Sequence, residues 1–220
     1  MSGIGPPLWL SLKIAVAATV LTAGLGIPLA FLMTRGRFPG KGFLEALITV
    51  PLVLPPTVVG YLIILALGSR SPLGRWLKDA FDYSILFQFE GAVLAASVVA
   101  LPLLYMPAKA AFASVDAELQ DVAVLMGAGR LRLFWHVALP LARRGIAGGL
   151  LLAFARALGE FGATVMVFGW DPDAETLPIA VYRHYENGEF AEAGAAVAAL
   201  SAASLLLILV YNRALARRRD

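Results

Sequence analysis

Residues 116–140 read DAELQDVAVLMGAGRLRLFWHVALP and lie between two long apolar runs. Helix–helix links mostly take roughly two to eight residues, so a loop spanning 115–144 is too long and too patterned for a plain connection. Asp116 is placed to cap a helix, and Glu118 falls in its first turn, where the helix dipole favours negative charge. Leu119, Val122, Ala123 and Met126 recur at i, i+3, i+4 and i+7 and draw one apolar face of a short helix. Gly127 is suited to the left-handed conformation that stops it. A second short helix is expected over Leu131–Leu139, ended by Pro140. A small amphipathic helix beside a membrane offers its apolar stripe either to lipid or to a groove in another protein.

The membrane enters through what flanks this loop. Of 220 residues 60% are hydrophobic and 15% charged, with a mean hydropathy of +0.78. Soluble domains run nearer half apolar and a quarter charged. Five spans are expected, at Leu8–Met33, Phe43–Gly68, Gly91–Ser114, Gly145–Phe168 and Glu189–Asn212. Each is long enough to cross about 30 Å of hydrocarbon. Backbone groups in lipid must be satisfied internally, so these segments are helices, and none alternates as a barrel strand would. The expectation is an all-α integral membrane protein forming a single domain over 1–220. The first run continues well past the length of a signal-peptide core, so it is expected to be retained.

Basic residues set the orientation. Arg35, Arg37, Lys41, Lys109, Arg130, Arg132, Arg143, Arg144, Arg213, Arg217, Arg218 and Arg219 fall on one side, against Arg70, Arg75, Lys78 and Arg183 on the other. The positive-inside rule then places the N-terminus outside and the C-terminus in the cytoplasm. A net charge of +3 distributed in this way describes membrane topology, and no nucleic-acid partner is expected. With no cysteine, disulfides, thiolate metal sites and cysteine nucleophiles are excluded.

Within the spans a few residues carry chemistry. Arg156 and Glu160 stand one turn apart in the fourth span, and a central arginine costs at least about 2.5–3.5 kcal/mol unless it faces a bundle interior or water. They form either a polar gate on a pathway or a structural ion pair. Ala155, Gly159, Gly162 and Ala163 let backbones approach around them. Pro51, Pro55 and Pro56 should break or kink the second span, leaving Thr57 to offer a hydroxyl. Pro102 and Pro107 should bend the third. The outer loop Ser69–Glu90, with Trp76, Phe81, Tyr83 and Phe87, reads as an ordinary interfacial loop or a short interfacial helix, the former preferred. His136 and His184 fall on opposite sides, too far apart to share a metal. Asp171, Asp173 and Glu175 read as a solvated turn.

Asp121-Val122-Ala123, then Gly127, then Val137-Ala138-Leu139-Pro140 resembles the EAA loop of ABC-transporter permeases, with Asp121 in place of Glu and Val122 in place of Ala. The family uses this loop as a coupling helix that docks into an ATP-hydrolysing subunit. This chain has no phosphate-binding G-x-x-x-x-G-K-[ST] motif, Gly40-Lys41-Gly42 being only a fragment, so a separate ATPase is implied. Residues 51–61 (PLVLPPTVVGY), 152–164 (LAFARALGEFGAT) and 176–182 (TLPIAVY) resemble molybdate-transporter permeases. The second string is shared with sulfate permeases, and 170–175 (WDPDAE) departs from the family's usual outer turn.

The resemblance implies the fold of a type I ABC importer permease in a prokaryotic inner membrane. It further implies a second copy of the chain, a pair of ABC ATPase subunits and an external oxyanion-binding protein as partners. ATP and Mg would be used by the ATPase, with no cofactor in this chain and no enzymatic activity of its own. Molybdate is the expected cargo and tungstate or sulfate the alternatives. An energy-independent channel, or an intramembrane enzyme using Glu160 or His184, are remote readings.

Overall fold

The computed structural model describes residues 3–36, 38–170 and 174–216, with only the backbone considered at 210, 212 and 214–216. Arg37, Asp171, Asp173, Arg217, Arg218 and Arg219, named above, lie outside the described residues. The described residues form helices joined by short turns and no strand.

Three helices make the frame: α1 (Gly5–Arg35), α5 (Phe89–Ala113) and α8 (Leu139–Leu158). The first two run parallel. The Ser97 hydroxyl donates to the Ala18 carbonyl, the Thr22 hydroxyl to the Ser97 carbonyl, and the Thr34 hydroxyl to the Lys109 carbonyl. Residues of α8 run back along α5. A Cβ on Gly145 would stand 2.5 Å from that of Ala111, and one on Gly149 3.0 Å from Leu104. Ala15, Ala18, Ala92, Ala96, Ala100 and Ala153 are fully buried between the three helices. Lipid gives apolar side chains no reason to leave it, so close backbone packing over such small residues holds the frame.

The frame has two ends. At one, Phe31, Phe112 and Phe134 pack with ring centroids 5.1–6.1 Å apart. There the chain leaves α5 for α6 (Ala117–Leu125) and α7 (Arg130–Leu133). The opposite end carries α4 (Pro72–Phe81) and α10 (Leu177–Glu186), whose first amide, on Leu177, donates to the buried Ser11 hydroxyl of α1 at 2.7 Å. The last helix, α11 (Phe190–Ala216), packs on α10 and leaves most of its apolar surface exposed.

Spans one, three and five match expectation to within a few residues, and α5 continues through Pro102 and Pro107. The second and fourth do not. The second is α2 (Lys41–Thr49), a 3-10 turn over Val50–Leu52, then α3 (Pro56–Leu67) turned by 118°. Pro51, Pro55 and Pro56 withhold three consecutive-turn donors, and Pro56 is pre-set for the first position of a new helix. At about 18 Å, α3 alone is too short to cross.

The fourth span begins earlier and stops sooner than Gly145–Phe168. The helix runs unbroken from Arg130 through a π segment at Phe134–Ala138 to Leu158, and α9 (Gly162–Phe168) starts after an interruption. Pro140 therefore does not end a helix; it sits in the first turn of α8. The π segment explains this: the Leu139 amide bonds to Phe134 five residues back, so the ladder is already re-registered where proline lacks a donor. In the loop over 69–90 α4 is a helix, capped by the Ser71 hydroxyl accepting from the Gly74 amide at 2.8 Å, rather than the preferred irregular connection.

Candidate functional site

The 115–144 loop is a braced handle. The Asp116 carboxylate accepts from the Glu118 amide at 2.9 Å and opens α6. Its far end closes with two backbone bonds, Ala128 N–H to the Ala123 carbonyl and Gly127 N–H to the Val124 carbonyl, both 2.9 Å. Gly127 has φ +85°, a Schellman closure that needs glycine. Half-buried Ala123 packs against the aromatic end of the frame, and buried Gln120 donates from Nε2 to the Val115 carbonyl at 3.1 Å. Val122 (53% exposed), Leu125 (86%) and Met126 (82%) point away, as does Asp121. The stripe read from periodicity thus divides: Ala123 faces in, while Leu119, Val122 and Met126 face out. Leu131 and Trp135 extend the exposed apolar surface onto the stem.

Val137, Leu139 and Pro140 do not share that surface. Val137 and Leu139 are half-buried in the stem, against the core that holds Phe134, and Pro140 is exposed beside them. Their role is to join handle to frame. The buried Phe134 anchor went unread in the sequence, where its only signal was an aromatic residue four positions before a small one, Ala138.

The second group of candidates meets at the two interruptions. A Cβ on Gly162 would lie 3.1 Å from Pro56 and 3.2 Å from the Thr57 amide nitrogen, and one on Gly60 would lie 2.8 Å from the Met166 Cβ and 2.9 Å from the Ala163 carbonyl. Hence α3 and α9 pack backbone to backbone, and the breaks at Pro55 and Glu160 are neighbours in space. Glu160 is 2% exposed. Its Oε1 accepts from the Ala163 amide at 2.7 Å, and its Oε2 lies 2.5 Å from Nη1 of Arg156. One carboxylate therefore neutralises the arginine and satisfies the start of α9. The helix breaks here because this side chain takes an amide and Gly159 resists the ladder weakly. Pro55 and Thr57 are exposed and Pro56 half-buried, so this meeting point has an open side.

At the opposite end Glu175 is not solvated; it is 4% exposed and pairs with Arg183 in two bonds, 2.8 Å from Nε and 2.6 Å from Nη2. That bond holds the Arg183 guanidinium, already basic, further above its ordinary value. His184 Nδ1 lies 2.5 Å from Glu189 Oε2, so His184 braces α10 to the start of α11. Tyr182 stacks between Phe161 and Trp170, with centroids 5.3 and 5.5 Å away, linking α10 to the Glu160 break. Among the described residues no cluster of His, Asp and Glu could hold a metal.

The chain shares this organisation with known proteins. It is 40% identical to the molybdenum transport system permease protein ModB of Escherichia coli (strain K12) over 94% of this chain and 91% of that protein. It is 39% identical to the putative molybdenum transport system permease protein YvgM of Bacillus subtilis (strain 168), over 94% and 92%. Among solved structures, a bacterial alginate ABC transporter, crystallised with an alginate pentasaccharide-bound periplasmic protein, superimposes with a TM-score of 0.76 at 17% identity, over 97% of this chain and 78% of that one. The MetNI methionine ABC transporter in inward-facing conformations gives 0.69 at 17% identity, over 94% and 92%. Residues 25–219 match the model of the binding-protein-dependent transport system inner membrane component, and with that match, a braced handle and an all-helical membrane frame, the chain belongs to that family of multi-pass permeases.

Proposed function

We propose that the chain is the permease subunit of an ATP-driven molybdate importer, working as a homodimer with two ATPase subunits and an external oxyanion-binding protein. The observation that carries this reading is the near full-length likeness to two molybdenum transport permeases at 40% and 39% identity. The capped handle supports the energy source: α6 holds Val122, Leu125 and Met126 away from the frame, as docking into a partner groove requires. The end bearing α6 is assigned to the cytoplasm, because Arg35, Lys41, Lys109, Arg130, Arg132, Arg143, Arg144 and Arg213 gather there.

ATP and Mg are used by the partner, and no covalent chemistry or cofactor is assigned to this chain. Closure of the ATPase pair draws the two copies of α6 together. The unbroken helix from Arg130 to Leu158 carries that movement to the interruption at Gly159, where α3 and α9 interlock. There Arg156 and Glu160, with Pro55, Pro56 and Thr57 alongside, form the gate, and the pathway turns outward. Hydrolysis resets it. Selection among oxyanions rests mainly with the external binding protein.

The test is reconstitution of the permease with its ATPase and binding protein in proteoliposomes, measuring uptake of labelled molybdate. Accumulation that needs ATP and the binding protein is expected. Accumulation without ATP would instead establish a channel, and sulfate uptake without molybdate uptake would overturn the cargo.

A further inference from the structure

A cavity of about 430 Å³ opens at the α6 end, between the end of α1, the start of α2 and the base of the handle. Phe31 and Phe112 floor it, and Thr34, Arg35, Lys41 and Gln120 supply its polar lining. Its charge is unbalanced. Among the described residues Arg35, Lys41 and Lys109 stand in this region, and of these Lys109 forms an ion pair, its Nζ lying 2.6 Å from Glu45 Oε1. Glu45 is also the carboxylate that feels Lys41, but its hydrogen bond is given to Lys109. Among the described residues Arg35 and Lys41 have no ion-pair partner. Gln120 is buried and spends one N–H on the Val115 carbonyl, which leaves the other to donate.

A concave site with two cations that lack an ion pair among the described residues, a fixed amide donor and an aromatic floor suits a compact oxyanion with several acceptor oxygens. We propose that this cavity binds a tetrahedral oxyanion of the phosphate type, carried either on the headgroup of an anionic phospholipid or free in solution. Basic pockets between helices at a membrane surface hold lipid phosphates in this way. A bound group there would tie the α1–α2 turn to Gln120 of α6, and so stiffen the handle at its root. The preference for a lipid source rests on the orientation proposed above; the oxyanion chemistry does not.

The test uses the permease–ATPase complex in nanodiscs, which present the same lipid to both ends of the protein and so remove orientation from the result. One arm compares phosphatidylcholine alone with a mixture containing phosphatidylglycerol, reading co-retained lipid by native mass spectrometry. A second arm, in phosphatidylcholine alone, titrates inorganic phosphate and molybdate and reads the unfolding temperature. R35Q/K41Q is compared with R75Q/K78Q, which removes the same charge from the opposite end. Each basic side chain near an anionic surface contributes roughly fivefold, so R35Q/K41Q should weaken retention by about 25-fold, and R75Q/K78Q should not. Selective loss of phosphatidylglycerol identifies a lipid headgroup. Selective loss of stabilisation by phosphate or molybdate identifies a free anion. Should R35Q/K41Q misassemble, K41Q alone must still show about a fivefold loss. Equal behaviour of wild type and R35Q/K41Q in both arms would overturn the proposal.

Discussion

Replacing Gly127 separates backbone conformation from bulk at the handle. A Cβ at this position would meet nothing within 4 Å, so side-chain collision contributes nothing. What remains is φ +85°, where an L-residue costs about 1–2 kcal/mol and a β-branched one more. A helix of nine residues has no stability to spare on its own, so that strain falls on the closed form of α6. If the closed and frayed forms are close in energy, 1–2 kcal/mol lowers the docking-competent population by roughly 3- to 15-fold, and apparent affinity for the ATPase falls in proportion. Gly127→Asn should keep most of the affinity because asparagine tolerates left-handed backbone, whereas Gly127→Val should lose at least tenfold. The assay is ATPase binding to the detergent-solubilised permease, with insertion checked by the unfolding temperature of the frame. Equal affinities for the Asn and Val variants would refute the reasoning, because the backbone argument requires them to differ.

Arg156→Ala should lower the unfolding free energy by about 3 kcal/mol, since it strands the buried Glu160 carboxylate. Because the pair gates the pathway, adding Glu160→Gln should restore much of the stability but not transport; recovery of transport in the double variant would make the pair structural only. Gly60→Ala should cost about 1–3 kcal/mol through its 2.9 Å approach to the Ala163 carbonyl, while Gly24→Ala, which meets nothing, should be neutral or slightly stabilising, as thermal unfolding would record. Phe134→Ala should cost about 3–5 kcal/mol and loosen the stem, seen as faster hydrogen exchange at Val137 and Leu139 than at Ala95 and Ala96.

The handle was legible because its signals are local. An acidic cap, a period of 3.6 and a glycine at the stop are each written within a few residues, and the structure places α6 and Gly127 where they indicate. The proline break in the second span was legible for the same reason. Its angle was not, since 118° is set by where α3 finds α9, a partner about a hundred residues away. The fourth span misled because hydropathy does not register a helix end made by a side chain. Glu160 reads as a charge one turn after Arg156, but its carboxylate also takes the Ala163 amide and so ends one helix and starts another. The π segment that carries the chain past Pro140 is likewise invisible to periodicity. Glu175 looked solvated because its partner, Arg183, lies eight residues on, beyond the helix spacings that sequence reading checks.

The account stands on α6 being held by a second protein, and the chain's lack of cysteine makes that directly measurable. A single cysteine at Leu125, 86% exposed at the handle's tip, would carry a photo-crosslinker in the assembled transporter. The account predicts one dominant adduct, to the ATPase, lost when the ATPase is omitted. An adduct to lipid that is unchanged by the presence of the ATPase would contradict it.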